Sequence, residues 1–188
     1  MWKATRSTRL RAAGVVAIGL ALLAGVEVAC VPAEPLPPEV PPAPPPSSAP
    51  VEFGYPTTGG GRLTSAELRG RFTVLALVAT YDLASQAQLK VLGLVLRNHS
   101  PRVNVAAIVL GPPENAPLVE AYATGLRLPF PIALADERTV EGRGPFEGLR
   151  HVPSIVILDR DGREVFRHVG AMDEKPLHAE LTRAGARR

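Results

Sequence analysis

The sequence predicts an α/β domain with a mixed central sheet flanked by helices, and three observations lead to it. Apolar, β-prone runs alternate with helix-compatible segments from residue 64 to the C-terminus. Two of these runs, 72–80 and 103–110, are almost unbroken by polar residues, as in strands buried on both faces. The last two runs are joined by Asp159-Arg160-Asp161-Gly162, a tight-turn signal that makes them antiparallel. Strands linked through helices and a closing hairpin share one sheet only if it is mixed.

Thr64 and Glu67 have capping-box spacing and Gly70 follows Leu68-Arg69, which predicts a helix of one to two turns. The buried strand 72–80 comes next. Residues 83–98 are helix-compatible, and the VLGLVL stretch from Val91 to Leu96 predicts burial over much of that helix. A second buried strand, 103–110, is closed by Gly111-Pro112-Pro113. Residues 115–126 read as an amphipathic helix with Leu118, Tyr122 and Leu126 on its inner face, Pro117 being tolerated in the first turn. A short strand at 132–134 precedes a mixed segment reaching Leu149. Strands at 154–158 and 164–169 form the hairpin, and 175–184 is the terminal helix.

Ahead of this domain the chain has a different character. Lys3, Arg6, Arg9 and Arg11 precede an apolar run, 12–26, that no charge interrupts before Glu27, and Ala29 stands just before Cys30. This order is that of a bacterial secretory signal, with Cys30 as the lipidation site of a lipoprotein-type signal at 1–29. Glu27 departs from that pattern, which usually has an apolar residue three places before the cysteine. An uncleaved signal anchor is the alternative, but the run is shorter than the roughly 20 residues that span a bilayer. Either reading puts the domain in the bacterial cell envelope, membrane-anchored and facing the periplasm or exterior. Residues 31–50 hold ten of the chain's 20 prolines without apolar periodicity, which predicts an extended spacer of polyproline type. The domain boundaries are thus 1–29, 30–50 and 51–188.

Charge and cysteine content exclude several function classes. The formal net charge is +3, but four of the 21 basic side chains and one of the 18 acidic ones lie in 1–29, leaving 17 of each. The remaining arginines are interleaved with acids, so no basic face predicts nucleic-acid binding. Cys30 is the only cysteine in 188 residues, and the domain therefore has no internal disulfide and no dithiol. Gly59-Gly60-Gly61 precedes no phosphate loop with a lysine and reads as the end of a flexible linker. Tyr55 and Tyr81 are candidates for the rim of a shallow groove or for the core.

The stretch from Leu63 to Phe72, followed by an apolar strand ending Ala79-Thr80-Tyr81, resembles the opening of membrane-tethered TlpA-type proteins of the thioredoxin superfamily. The segment from Arg150 to Ser154, the run Ile155 to Gly162, and Val165 to Gly170 resemble that family's hairpin in the same order. The resemblance covers about 51–184. It implies a thioredoxin-like fold, an ancestral thiol-disulfide oxidoreductase activity and a cis-proline at Pro153. It also implies that Tyr81 takes the place of a tryptophan, Asp82 that of the attacking cysteine and Ser85 that of the resolving cysteine. Both thiols are replaced, so neither position can form a mixed disulfide.

What the residues themselves predict for this place is modest. Asp82 is of the right type and position to be a helix N-cap, and a general acid or base role is the alternative. His151, two residues before Pro153, reads as a loop histidine; a metal site with Asp82 and Glu147 lacks any supporting spacing. Ser85 has no nucleophile-elbow context. No cofactor is expected. The favoured function is a non-catalytic module that holds an envelope protein or an extended peptide segment in a groove formed by Tyr81, Asp82, Val152, Pro153 and Ser154. An enzyme of non-dithiol chemistry around Asp82 and His151, and a residual redox role for Cys30, are the alternatives.

Overall fold

The two unbroken apolar runs become the middle of a five-stranded sheet. In the computed structural model, which describes residues 42–47 and 49–186, the strands are ordered β5-β4-β3-β6-β7. Strand β3 (Phe72–Val78) lies at the centre, parallel to β4 (Val103–Val109) and antiparallel to β6 (Ser154–Leu158). Strands β5 (Ile132–Leu134) and β7 (Glu164–Val169) complete the sheet, β5 parallel to β4 and β7 antiparallel to β6. All seven residues of β3 are buried, as expected for a strand covered on both sides. The expectation of a mixed sheet is met.

Side chains alternate along β3 and sort the core into two halves. Val74, Ala76 and Val78 face one side, against Leu89 and Leu92 of α2 (Leu83–His99), Val119 of α3 (Ala116–Leu126) and Leu177 of α5 (Glu174–Ala184). Leu75 and Leu77 face the other, which is not covered by long helices. There Tyr55 and Leu63 come from a small antiparallel pair, β1 (Gly54–Pro56) and β2 (Arg62–Thr64), and Phe146 and Leu149 from the irregular segment after β5. Two one-turn helices, α1 (Ser65–Leu68) and α4 (Glu137–Val140), flank them.

Local signals explain most element ends. Thr64 and Glu67 form the predicted reciprocal capping box at the start of α1. Helix α2 stops at His99, capped by Ser100, because Pro101 cannot continue it. In the hairpin between β6 and β7, Asp159 Oδ1 accepts from the N–H groups of Asp161 and Arg163 at 2.9 and 2.8 Å, and Gly162 takes φ +82.

Three expectations are corrected. Gly59-Gly60-Gly61 is not a linker end but lies in the turn between β1 and β2, where Gly60 has φ +80 and Thr57 N–H donates to Gly61 O at 3.0 Å. On α3 the buried position is Val119, with Tyr122, Ala123 and Leu126 packed against the core, while Leu118 is exposed. Of the three residues read as the inner face, Tyr122 and Leu126 hold and Leu118 does not, its place being taken by Val119. The third concerns the proline-rich segment, of which 31–41 lies outside the described residues. Residues 42–47 are laid against the domain instead of spanning free. Ala43 packs on the second half of the core, Ser47 N–H donates to Glu164 Oε2 at 3.4 Å, and Pro44 sits over Gly148, where a Cβ would come within 2.8 Å of its ring. A segment poor in backbone donors packs as an apolar ribbon.

The strap lies beside a buried ion pair that depends on a bulge. Ile157 pairs with Phe166 but Leu158 with Glu164, so Val165 is an extra residue. Without it Glu164 and Arg167 would point to opposite faces; with it they share the face of Val156 and Leu158. Their side chains are fully buried and salt-bridged, and Arg167 Nη1 also donates to Glu147 O at 2.9 Å.

Candidate functional site

The ladder between β3 and β6 ends at the Leu77–Ser154 pair. Beyond it the chain from Val78 to Asp82 and the chain from His151 to Pro153 continue past the same end of the sheet. The Val152–Pro153 peptide bond is cis, as the resemblance implies, and Pro153 O accepts from Gly170 N–H at 2.8 Å. Ser154 is buried and its hydroxyl donates to His151 O at 2.6 Å, which fixes the loop leading into the cis peptide. These two segments, about 70 positions apart in sequence, reach the same end of the sheet because one strand register pairs Leu77 with Ser154.

Asp82 is the N-cap of α2. Its Oδ2 accepts from Ser85 N–H at 2.7 Å and from Ser85 Oγ–H at 2.6 Å. The Ser85 hydroxyl in turn accepts from Ala79 N–H at 3.2 Å and is 0 % exposed. Asp82 Oδ2 and the Ser85 hydroxyl both have partners, and the arrangement closes the turn between β3 and α2. The oxygen of Ser85 is thus occupied as donor and as acceptor, and among the described residues no histidine hydrogen-bonds it. The side chains next to this closed cap are open: Tyr81 is 84 % and Leu83 77 % exposed.

His151, Glu147 and Asp82 do not form a three-residue group able to hold a metal ion. The side chains of His151 and Glu147 are exposed, and the main chain of Glu147 is held by Arg167 on the flank of β7. Among the described residues no group of three or more His, Cys, Asp or Glu side chains is placed to hold a metal ion. Tyr55, a candidate rim residue, is in the core: its hydroxyl hydrogen-bonds Thr139 Oγ1 at 2.6 Å, and burial pushes its pKa up to about 12. Cys30 lies outside the described residues.

The sequence does not mark two buried polar groups as polar sites: Tyr122 reads only as part of an apolar helix face, and Gln88 is not singled out at all. Tyr122 on α3 has its hydroxyl shut from solvent without a hydrogen-bond partner, and its pKa is raised by burial and then by the charge of Asp82. Gln88, two turns into α2, is buried; its Oε1 accepts from Met172 N–H at 2.7 Å, while Nε2 has no partner. The only sequence signal for Gln88 is a polar residue three places after Ser85, on the same helix face.

No protein-family model matches the chain, and a search of curated proteins found no match. Solved structures do match in shape. A thiol:disulfide interchange protein of the thioredoxin family from Chlorobium tepidum superposes with TM-score 0.61 at 18% identity, covering 78% of this chain and 98% of that one. StoA from Bacillus subtilis gives 0.58 at 18% identity, covering 72% and 99%. The pneumococcal exposed lipoprotein thioredoxin Etrx1 from Streptococcus pneumoniae gives 0.60 at 17% identity, covering 70% and 98%. The chain has a thioredoxin-like fold. It lacks the pair of cysteines that dithiol exchange requires.

Proposed function

We propose that this protein is an exported, lipid-anchored member of the TlpA-like branch that has exchanged thiol chemistry for binding. It holds an extended protein segment alongside Val152 and Pro153 in the cell envelope. The observation that carries this reading is the closed cap at the former dithiol. Asp82 and Ser85 satisfy each other and the backbone, so the place of chemistry is a structural turn, while Tyr81 and Leu83 beside it remain exposed. Export and anchoring are supported by the basic, apolar and Ala29-Cys30 order of the N-terminus. An extended segment would gain affinity from main-chain pairing and specificity from the exposed apolar side chains.

The test is capture from envelope extract with a photo-crosslinking residue at position 81. A discrete adduct that is lost when Leu83 and Val152 are both replaced by Asp is the expected result. Adduct formation that ignores those changes, or reduction of insulin disulfides by the unmodified chain, overturns the reading. The anchor is tested separately: acyl labelling should disappear, and the chain should leave the membrane fraction, in Cys30→Ser.

A further inference from the structure

Five large apolar side chains stand exposed among the described residues, and the three most exposed are Tyr81, Leu83 and Leu118, at 84, 77 and 53 %. They share one pole of the domain. Helices α2 and α3 follow the parallel strands β3 and β4, so both begin at the C-terminal edge of those strands. Leu83 is the first residue of α2 and Leu118 lies in the first turn of α3.

The strap climbs towards the same pole. Val51 N–H donates to Gly162 O at 2.8 Å, in the distal hairpin. Reading backwards from there, Ser47 meets Glu164 at the start of β7, and Pro44 meets Gly148 beside Arg167. Strand β7 runs from the distal hairpin to the pole, where Val169 pairs with Ser154. The described chain thus rises along the flank of β7 from the far end of the domain towards the end bearing the apolar side chains.

We infer that this pole is a lipid-facing surface, with Tyr81, Leu83 and Leu118 resting in the headgroup region of the bilayer that holds the N-terminal segment. The inference rests on the anchored reading given above. A tyrosine with two leucines is chemistry suited to the membrane–water boundary. Three such side chains are too few to keep a free protein on a membrane. A tethered domain, however, is already at high local concentration and needs only a small bias to be oriented. The strap supplies the geometric part of that bias by starting the chain towards the pole. The Val152–Pro153 groove then opens at the bilayer surface, and the segments it takes are those emerging there from membrane proteins.

The test uses the full lipidated chain on nanodiscs of phosphatidylethanolamine and phosphatidylglycerol that contain a nitroxide-labelled lipid. Amide signals of 80–84 and 116–119 should broaden several-fold more than those of 160–163. The double variant Leu83→Ser with Leu118→Ser changes only exposed side chains; it should abolish the difference while the chain stays on the discs. Equal broadening at both ends, or stronger broadening at 160–163, in a chain that is membrane-bound overturns the orientation and leaves the anchor standing. Such a result leaves Tyr81 and Leu83 to the held protein segment alone, as in the proposed function. A chain that does not associate with the discs removes the anchored reading and this inference with it.

Discussion

Replacing Asp82 by Ala separates a structural cap from a catalytic carboxylate. The substitution deletes the acceptor of two hydrogen bonds, from Ser85 N–H at 2.7 Å and Ser85 Oγ–H at 2.6 Å. Loss of an N-cap costs about 1 kcal/mol. The hydroxyl of Ser85, 0 % exposed, would keep its bond from Ala79 but lose its acceptor, which adds about 1–2 kcal/mol. Because both losses fall on one network they add incompletely, and about 2 kcal/mol is expected. For a domain of this size that corresponds to a fall in Tm of roughly 8 °C. Asp82→Asn retains a side-chain oxygen able to cap and should lose no more than about 0.5 kcal/mol. Thermal and urea unfolding followed by circular dichroism measure both variants, with an unchanged urea slope confirming that compactness is unaltered. If Asp82→Ala unfolds within 1–2 °C (roughly the error of such a comparison) of the parent, or if Asn is as damaging as Ala, the cap is not what Asp82 is for.

Burial raises the Tyr55 phenol to about 12, so between pH 10 and 12 the unfolded chain loses a proton that the folded chain keeps. Stability from this group is complete below pH 10 and falls as pH rises, by on the order of 2 kcal/mol; Tyr55→Phe should flatten that part of a stability–pH curve measured by urea unfolding. Arg167→Ala leaves the buried Glu164 carboxylate without its partner and should cost about 3–5 kcal/mol, whereas Glu164→Leu combined with Arg167→Met should cost less than Arg167→Ala alone. Denaturation midpoints decide between them, and a double variant as unstable as Arg167→Ala would show that the pair is not the source of the loss. Introducing Asp82→Cys with Ser85→Cys puts two thiols at the start of α2, three residues apart; a dithiol couple titratable against glutathione is expected, with none in the parent.

Sequence alone determined whatever is encoded locally. The two unbroken apolar runs had to be interior strands, the Thr64–Glu67 spacing had to cap a turn, and Asp159 to Gly162 had to reverse the chain, because each depends on residues within a few positions of one another. A single cysteine excluded an intramolecular dithiol cycle whatever the fold. Even Asp82 as N-cap was legible, since residue type and the following helix suffice. The tertiary structure decided what depends on distant partners. Ser85 became a closed hydroxyl only because the end of β3 lies over it, and Tyr55 became core because Thr139 reaches its phenol from 84 positions away. A one-residue bulge against β6 put Glu164 and Arg167 on one face, which no strand periodicity contains. Pro44 to Ser47 became a strap because Gly148 leaves room for a ring and Glu164 offers an acceptor. Local signals fix which residues are helix, strand or turn, whereas the partner of a buried polar group is set by how those elements pack, and that packing is where this site acquired its character.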